Sequence, residues 1–403
     1  MIELNTEENK FKSGAKLKVL GVGGAGGNAV NSMINSSDLE SVEFVVANTD
    51  SQALQMSCAE HKVQLGAKIT KGLGAGSDPD VGKRAAEEDL SSIMEHISEA
   101  DILFLTAGLG GGTGSGALPV IAKAAKEKGV LSIAIVSKPF LFEGKKRLKN
   151  ADESIERLRE FVDTLIIVPN QRLLEIVDPK ISMLDAFAKS NDILRQAIKG
   201  ISDIISYPGH INVDFADVYT IMKDMGMALM GSGISSGEDR AKQAAMKAIN
   251  SPLLENIKIN GAKGVLLNIT GNKDLGLHEI HEAAQVIYDL VSEDANIILG
   301  SVIDEKMGDE IKVTVIATGL ESNVAEIKDF ASSQVEIKAP LEAEEKSDKV
   351  EEHNLQPQEN VAKELKAESL SNEQLQDYDM TDMDTPTFLR KESGAEGQKQ
   401  SEV

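Results

Sequence analysis

Thr106-Ala107-Gly108-Leu109-Gly110-Gly111-Gly112-Thr113-Gly114-Ser115-Gly116-Ala117 is the stretch on which the reading of the chain turns. An apolar run, Ile102-Leu103-Phe104-Leu105, stands ahead of it with the composition of a buried strand, and residues 117–128 behind it carry a helical pattern. The glycines therefore fill a strand-to-helix turn. Backbone N–H groups at the start of a helix lack intrahelical partners, and the helix dipole adds partial positive charge there. Gly110, Gly111, Gly112, Gly114 and Gly116 keep Cβ atoms out of the way of an anion. Thr113 and Ser115 add hydroxyl groups. The stretch predicts a phosphate cradle.

A second glycine loop lies upstream. Leu17-Lys18-Val19-Leu20 begins a strand that runs into Gly21-Val22-Gly23-Gly24-Ala25-Gly26-Gly27-Asn28, and residues 29–34 read as a helix. Gly21, Gly23 and Gly26 match G-x-G-x-x-G, which on its own suggests a dinucleotide fold with Asp50 toward the ribose hydroxyls. Two glycine loops at two strand ends of one sheet suit a longer phosphate chain gripped from two sides. A third turn, Gly72-Leu73-Gly74-Ala75-Gly76, either closes over a terminal phosphate or is an ordinary loop. No G-x-x-x-x-G-K-[ST] occurs, so the P-loop class is excluded.

Further strands are expected at residues 43–47, 62–65, 131–136 and 165–168, with helical patterns at 81–96 and 152–162. This alternation predicts an α/β, doubly wound parallel-sheet domain over residues 17–180, after a flexible arm at 1–16. Leu184, Phe187, Asn191, Leu194, Ile198, Ile201 and Ile205 then recur three and four apart, the mark of one long helix at 181–206. A smaller α+β domain follows at 207–320, with helices at 238–250 and 277–292 and strands at 264–270, 297–303 and 311–318.

Net charge is −23, which argues against nucleic acid and against adsorption to anionic membranes. Residues 321–403 hold 21 acidic and 9 basic side chains, about half of that excess. Poor in large apolar residues, 321–380 reads as an acidic disordered linker. In 381–403, Asp384-Thr385-Pro386-Thr387-Phe388-Leu389-Arg390-Lys391 is an apolar and basic island, read as a partner-binding motif. No apolar run approaches the ~20 residues needed to cross a bilayer, so no direct membrane insertion is expected. The single cysteine, Cys58, fits a reducing compartment and reads as a small buried residue. His278 and His281 lack partners for a metal site and read as surface residues.

The segments GGGTGSG (110–116), GVGGAGGN (21–28), ANTD (47–50), GLGAG (72–76), KPFLFEGKKR (138–147), VPN (168–170), NVDFADV (212–218) and DTPTFLRK (384–391) together resemble the tubulin/FtsZ family over nearly all of residues 16–320. The resemblance implies a self-assembling GTPase that binds GTP or GDP with Mg²⁺. It assigns Gly24, Ala25, Gly26, Gly27, Asn28, Gly110, Gly111, Gly112, Thr113 and Gly114 to the phosphates. Ala75 and Gly76 belong to the turn that could close over them. Glu143 and Arg147 would face the ribose, Phe187 would stack on guanine, and Asn191 would bond its edge. Asn48 and Asn170 would line the same pocket, with Asp50 beside them. Ser115 and Asn191 stand where many members have Thr and some have Asp. Without the resemblance, Glu143 and Arg147 read as a surface ion pair four residues apart. The resemblance further implies a cytoplasmic polymer at the division site in bacterial cytokinesis. Residues 384–391 would dock on membrane-tethering and regulatory division proteins.

Asn212, Asp214 and Asp217 put an amide and two carboxylates within six residues. They could hold a cation or orient water, or an aspartate could cap the next helix. If Phe187 and Asn191 touch the base, about 20 helical residues, roughly 30 Å, separate it from this loop. The loop would then act on the nucleotide of another copy stacked head to tail. Two alternatives compete: a nicotinamide-dependent oxidoreductase, on Gly21–Gly26 spacing alone, and a nucleotide-binding scaffold that polymerises without hydrolysis.

Overall fold

The computed structural model describes residues 14–320, apart from 176, 179, 208–210, 212, 252–253 and 255–260. Asn212, residues 1–13, and the linker and tail expected at 321–380 and 381–403 lie outside the described residues. The chain opens with β1 (Leu17–Val22), α1 (Gly23–Ser36), β2 (Val42–Asn48), α2 (Ser51–Gln55), β3 (His61–Gln64) and α3 (Ala67–Thr70). Next come α4 (Pro79–Glu88), α5 (Leu90–Ile97), β4 (Ile102–Gly108), α6 (Thr113–Glu127), β5 (Leu131–Lys138), α7 (Lys145–Phe161), β6 (Thr164–Pro169) and α8 (Asn170–Leu173). The long helix α9 (Met183–Ser206) leads to α10 (Phe215–Met222), β7 (Gly226–Ser236), α11 (Arg240–Ile249), β8 (Gly264–Gly271), α12 (Leu277–Tyr288), β9 (Asn296–Ile303) and β10 (Glu310–Thr318).

The strands join in the order β3-β2-β1-β4-β5-β6-β7-β10-β8-β9. The first six are parallel, and the chain winds outward from β1 in one direction and from β4 in the other. The point between β1 and β4 is thus a topological switch point, where the loops leaving two neighbouring strands diverge and open a crevice. This doubly wound arrangement is the one the alternation of strands and helices predicts. After a three-residue parallel contact of β6 with β7, β10 runs antiparallel to both β7 and β8, and β9 parallel to β8.

Strands buried on both faces need apolar residues throughout, and β1, β4 and β5 are buried over nearly their whole length. Val19, Phe104, Ile133 and Ile166 face α1, α9 and α10. Leu20, Leu103, Leu105 and Ala134 face the α4–α7 side. A separate core under α11 and α12 gathers Ala244, Ala248, Ile280, Ala283 and Val315.

The structure corrects three expectations. Residues 81–96 form two helices, not one: Asp89 leaves helical geometry, and its carboxylate accepts the Gly66 N–H at 2.6 Å. Both glycine loops end sooner than expected, because α1 begins at Gly23 and α6 at Thr113, so several glycines form first helical turns. Cys58 is exposed, not buried.

Candidate functional site

Helix N-termini in this chain fall into two kinds. Asp50, Asp78, Ser182 and Asp214 cap α2, α4, α9 and α10 with their side chains. α1 and α6, of 14 and 15 residues, start with no side-chain cap and no acidic residue in the first turn, as α5, α7 and α11 also do. Their leading N–H groups are left for something else. Both helices leave the sheet at the switch point, from the adjacent strands β1 and β4.

The two turns touch. A Cβ on Gly23, whose φ is +75°, would stand 3.0 Å from Gly114 N. One on Gly108 would stand 2.5 Å from the Ala25 Cβ. Thr49, just after β2, brings its hydroxyl to 2.7 Å from that of Thr113. Sequence reasoning passed over Thr49, although its place between Asn48 and Asp50 in the ANTD segment could have drawn notice. The turn at residues 72–76 is stitched alongside: Ser51 N donates to Gly72 O at 3.0 Å and Gly74 N to Thr49 O at 3.2 Å. Ala75 is buried against Gly112, and Gly76 is exposed.

The glycines of 110–116 have different jobs. A Cβ on Gly116 would fall 1.9 Å from Pro79 O, and one on Gly82 would fall 2.3 Å from Gly112 O, so these two let α6 and α4 pack closely. Gly112 and Gly114 are likewise closed in by Asp78 and by Gly108 O. Gly110 holds φ +101° under Arg147 O. Only Gly111 in this run, and Gly24 in the first loop, face open space. Ala25 and Asn28 are exposed next to Gly24, whereas Gly26 and Gly27 are buried. Ser115 is turned inward, its hydroxyl oxygen accepting the Gly110 N–H at 2.7 Å, so it shapes the loop instead of reaching outward. The outward surface of the two turns is thus Gly24, Ala25, Asn28, Gly111 and the half-buried Thr113.

Around this cradle, Glu143 is mostly buried in a 3-10 turn after β5. Its carboxylate accepts the Phe140 N–H at 3.0 Å and the Arg147 guanidinium at 2.7 Å. The surface ion pair therefore has a buried anchor at one end. Asn150 reaches both Ser77 O and Gly110 O at 3.4 Å and ties α7 to the glycine turn. Phe187, half-buried in the second turn of α9, meets Phe140 edge to face at 5.3 Å. Asn191 follows one turn later. Asn170 is buried, and its Oδ1 accepts the Ser190 hydroxyl at 2.7 Å, which fixes the start of α8 to α9. Asn48 is buried with its Oδ1 accepting Asp50 N–H at 3.2 Å, and Asp50 Oδ1 accepts from Gln52 and Ala53.

The remaining candidates stand elsewhere. Helix α9 starts beside α8, at the carboxyl ends of the parallel strands, and ends where Ser206 bonds Ser41 ahead of β2, at their amino ends. Beyond it, Asp214 and Asp217 form a capping box on α10: Asp217 N donates to Asp214 Oδ1 at 2.9 Å, and Asp214 N to Asp217 Oδ2 at 3.2 Å. Both aspartates are exposed. The far end of α10 touches Asp163 and Thr164, again at the amino ends of the strands. The capping role and the exposed second oxygens coexist. The glycine cradle and the aspartate pair thus lie on opposite rims of the sheet. His278 pairs with Glu282 at 3.4 Å on the surface.

Residues 16–178 match the model of the "Tubulin/FtsZ family, GTPase domain", and residues 226–321 that of the "FtsZ family, C-terminal domain". Among solved structures the chain is similar to the FtsZ dimer of M. jannaschii, at 42% identity, with 77% of this chain and 89% of that one covered and a TM-score of 0.73. It is similar in fold to the GTPγS-bound protofilament of CetZ2 from Haloferax volcanii, at 23% identity, with 79% and 97% covered and a TM-score of 0.68.

Proposed function

The chain belongs to the tubulin/FtsZ family and carries its GTPase domain, and we propose that it hydrolyses GTP only when a second copy of itself completes the site, head to tail, in a filament. One observation carries this reading: the uncapped helix starts of α1 and α6 and the aspartate pair of α10 are on opposite rims of the sheet. A single copy therefore cannot bring them together. Stacked copies can, and a heterologous contact of that kind extends without closing.

In this reading Gly24, Ala25, Asn28, Gly111 and Thr113 hold the phosphates, with Gly76 at the rim. Phe187 and Asn191 take the base, and Glu143 and Arg147 the ribose side. Asp214 and Asp217 of the neighbouring copy position and polarise the attacking water, with Asn212 orienting them. Positioning and charge stabilisation supply most of the rate in phosphoryl transfer. Among the described residues, no group of three or more His, Cys, Asp or Glu could hold a metal. Mg²⁺ would arrive on the phosphates and neutralise their charge.

We read residues 17–180 as the GTP-binding domain, 181–206 as its connecting helix and 207–320 as the domain that delivers the aspartates. We further propose a role in cell division, at the inner face of the membrane through docking of residues 384–391 on tethering proteins, a reading that family membership supports. No described helix is long and apolar enough to cross a membrane. Sedimentation with GTP, GDP or ATP and parallel phosphate release test the proposal. GTP alone should pellet the protein, and release per subunit should climb steeply with protein concentration. A per-subunit rate independent of concentration would place the whole site within one chain.

A further inference from the structure

The end of α10 away from its aspartates is fastened from both halves of the sheet. The last carbonyls of a helix lack intrahelical partners and normally find water or a glycine turn. Here the Thr164 hydroxyl on β6 donates to Met222 O at 2.5 Å, and the Thr318 hydroxyl on β10 donates to Ile221 O at 2.8 Å. Both threonines are fully buried. The next residue, Lys223, puts its ammonium 2.8 Å from Asp163 Oδ1. Asp163 is itself fully buried, and its other oxygen accepts the Ser132 N–H and hydroxyl at 2.8 and 3.0 Å. Gly264 supplies the clearance: a Cβ there would sit 2.8 Å from the Thr318 hydroxyl and 3.2 Å from the Ile221 Cβ. At the other end of α10, Asp214 and Asp217 cap each other in solvent, between the buried Val213 and Val218.

We infer that Thr164 and Thr318 are positioning residues for GTP hydrolysis, a clamp that aims the Asp214–Asp217 end of α10 at the nucleotide of the adjacent copy; the inference rests on the shared-site reading above. The lever is short and stiff. Eight residues of helix span about 12 Å, so a tilt of about 5° at the clamp moves the carboxylates by about 1 Å. A misplacement of that size is worth on the order of 100-fold in rate. The two hydroxyls come from strands of opposite halves of the sheet, so the aim of α10 is set by both at once.

Thr164→Val and Thr318→Val keep the side-chain volume and delete the donors, while Thr164→Ser and Thr318→Ser keep the donors. The full chain is assayed for GTP binding, for pelleting with a slowly hydrolysed GTP analogue, and for phosphate release per pelleted subunit. The valine variants should bind and pellet within twofold of wild type, yet release phosphate 10- to 100-fold more slowly per pelleted subunit. The serine variants should recover to within threefold. A merely structural role would lower pelleting and release together, leaving release per pelleted subunit unchanged, and that result would overturn the inference. If the double valine variant does not fold, each single variant carries the same expectation. Asp217→Ala separates the two layers. If it still turns over GTP, the shared site is wrong and the clamp with it; if it is inactive while both valine variants match wild type, the clamp alone is wrong.

Discussion

Gly111 and Gly116 stand five residues apart in the same glycine run, and replacing each by alanine should separate binding from folding. At Gly116 the new methyl would meet Pro79 O at 1.9 Å and Lys83 N at 2.7 Å, where contacts under 3.0 Å are essentially never seen. Helix α4 would have to retreat by about an ångström along a seam where Ala85, Ala86, Ala117 and Leu118 are fully buried. Overpacking on that scale costs about 1–3 kcal/mol or more, partly offset by the roughly 1 kcal/mol by which alanine is the better helix former. We expect a net loss of about 1 kcal/mol or more for Gly116→Ala, the middle of the overpacking range less the gain in helix propensity. At Gly111 nothing lies within 4 Å. Gly111→Ala should leave the fold as stable as wild type or raise it by about 0.4–1 kcal/mol through the unfolded chain. The same methyl would stand in the path of a phosphate, and GDP affinity should fall at least tenfold, about 1.4 kcal/mol. Urea unfolding of the nucleotide-free protein reads the first quantity and titration calorimetry of GDP reads the second. Wild-type affinity in Gly111→Ala, or wild-type stability in Gly116→Ala, would refute the division of labour drawn from the contacts.

Asp214→Ala and Asp217→Ala should bind GTP normally and pellet with it while losing phosphate release; loss of GTP binding would contradict their placement on the far rim. Asp163→Asn should destabilise the fold by about 1–3 kcal/mol, because the buried Ser132 N–H and hydroxyl lose a charged acceptor, and a chemical unfolding midpoint within error of wild type would show the carboxylate to be dispensable. On the α11–α12 seam, the Arg240 guanidinium grips Glu279 at 2.7 and 3.1 Å and holds its carboxyl below the usual glutamate range. A depressed carboxylate contributes stability above its ordinary value and loses it as pH falls through the folded one. Glu279→Gln should therefore lower stability by about 1–3 kcal/mol near neutral pH, with the gap from wild type closing in melts taken under strongly acidic conditions.

The parallel half of the fold was legible because its signals are local. Two-sided burial writes continuous apolar runs such as Ile102-Leu103-Phe104-Leu105, and the glycine turns mark the strand ends. Strand β7 escaped notice because Gly231 and Gly233 interrupt its apolar pattern. They do so for a reason several residues away: a Cβ at either would fall 2.0 or 2.2 Å from Ala248 O or Ala244 O of α11. The same non-local cause hides which glycines of 110–116 face open space: α4 closes in Gly116, in the first turn of α6, and leaves Gly111, in the turn before it, open. Asp214 and Asp217 read equally as cap and as catalyst in sequence. The structure shows the cap, and their opposite rim from the cradle supports the catalytic role. Ser115 offered a hydroxyl on paper, and the loop it closes turned that hydroxyl inward. Thr164 and Thr318 carry no local signal, because their partners, Met222 and Ile221, are 58 and 97 residues away.

The most direct test of a shared site is to mix two inactive chains. Gly111→Asp sets a carboxylate in the open cradle and blocks GTP while keeping Asp214 and Asp217. Asp217→Ala keeps the cradle and loses the aspartate. A few per cent of the first added to an excess of the second, assembled with GTP and pelleted, should release phosphate in proportion to the Gly111→Asp chain incorporated. If that chain co-sediments and no phosphate appears, the aspartates do not act on a neighbour's nucleotide, and the head-to-tail account fails.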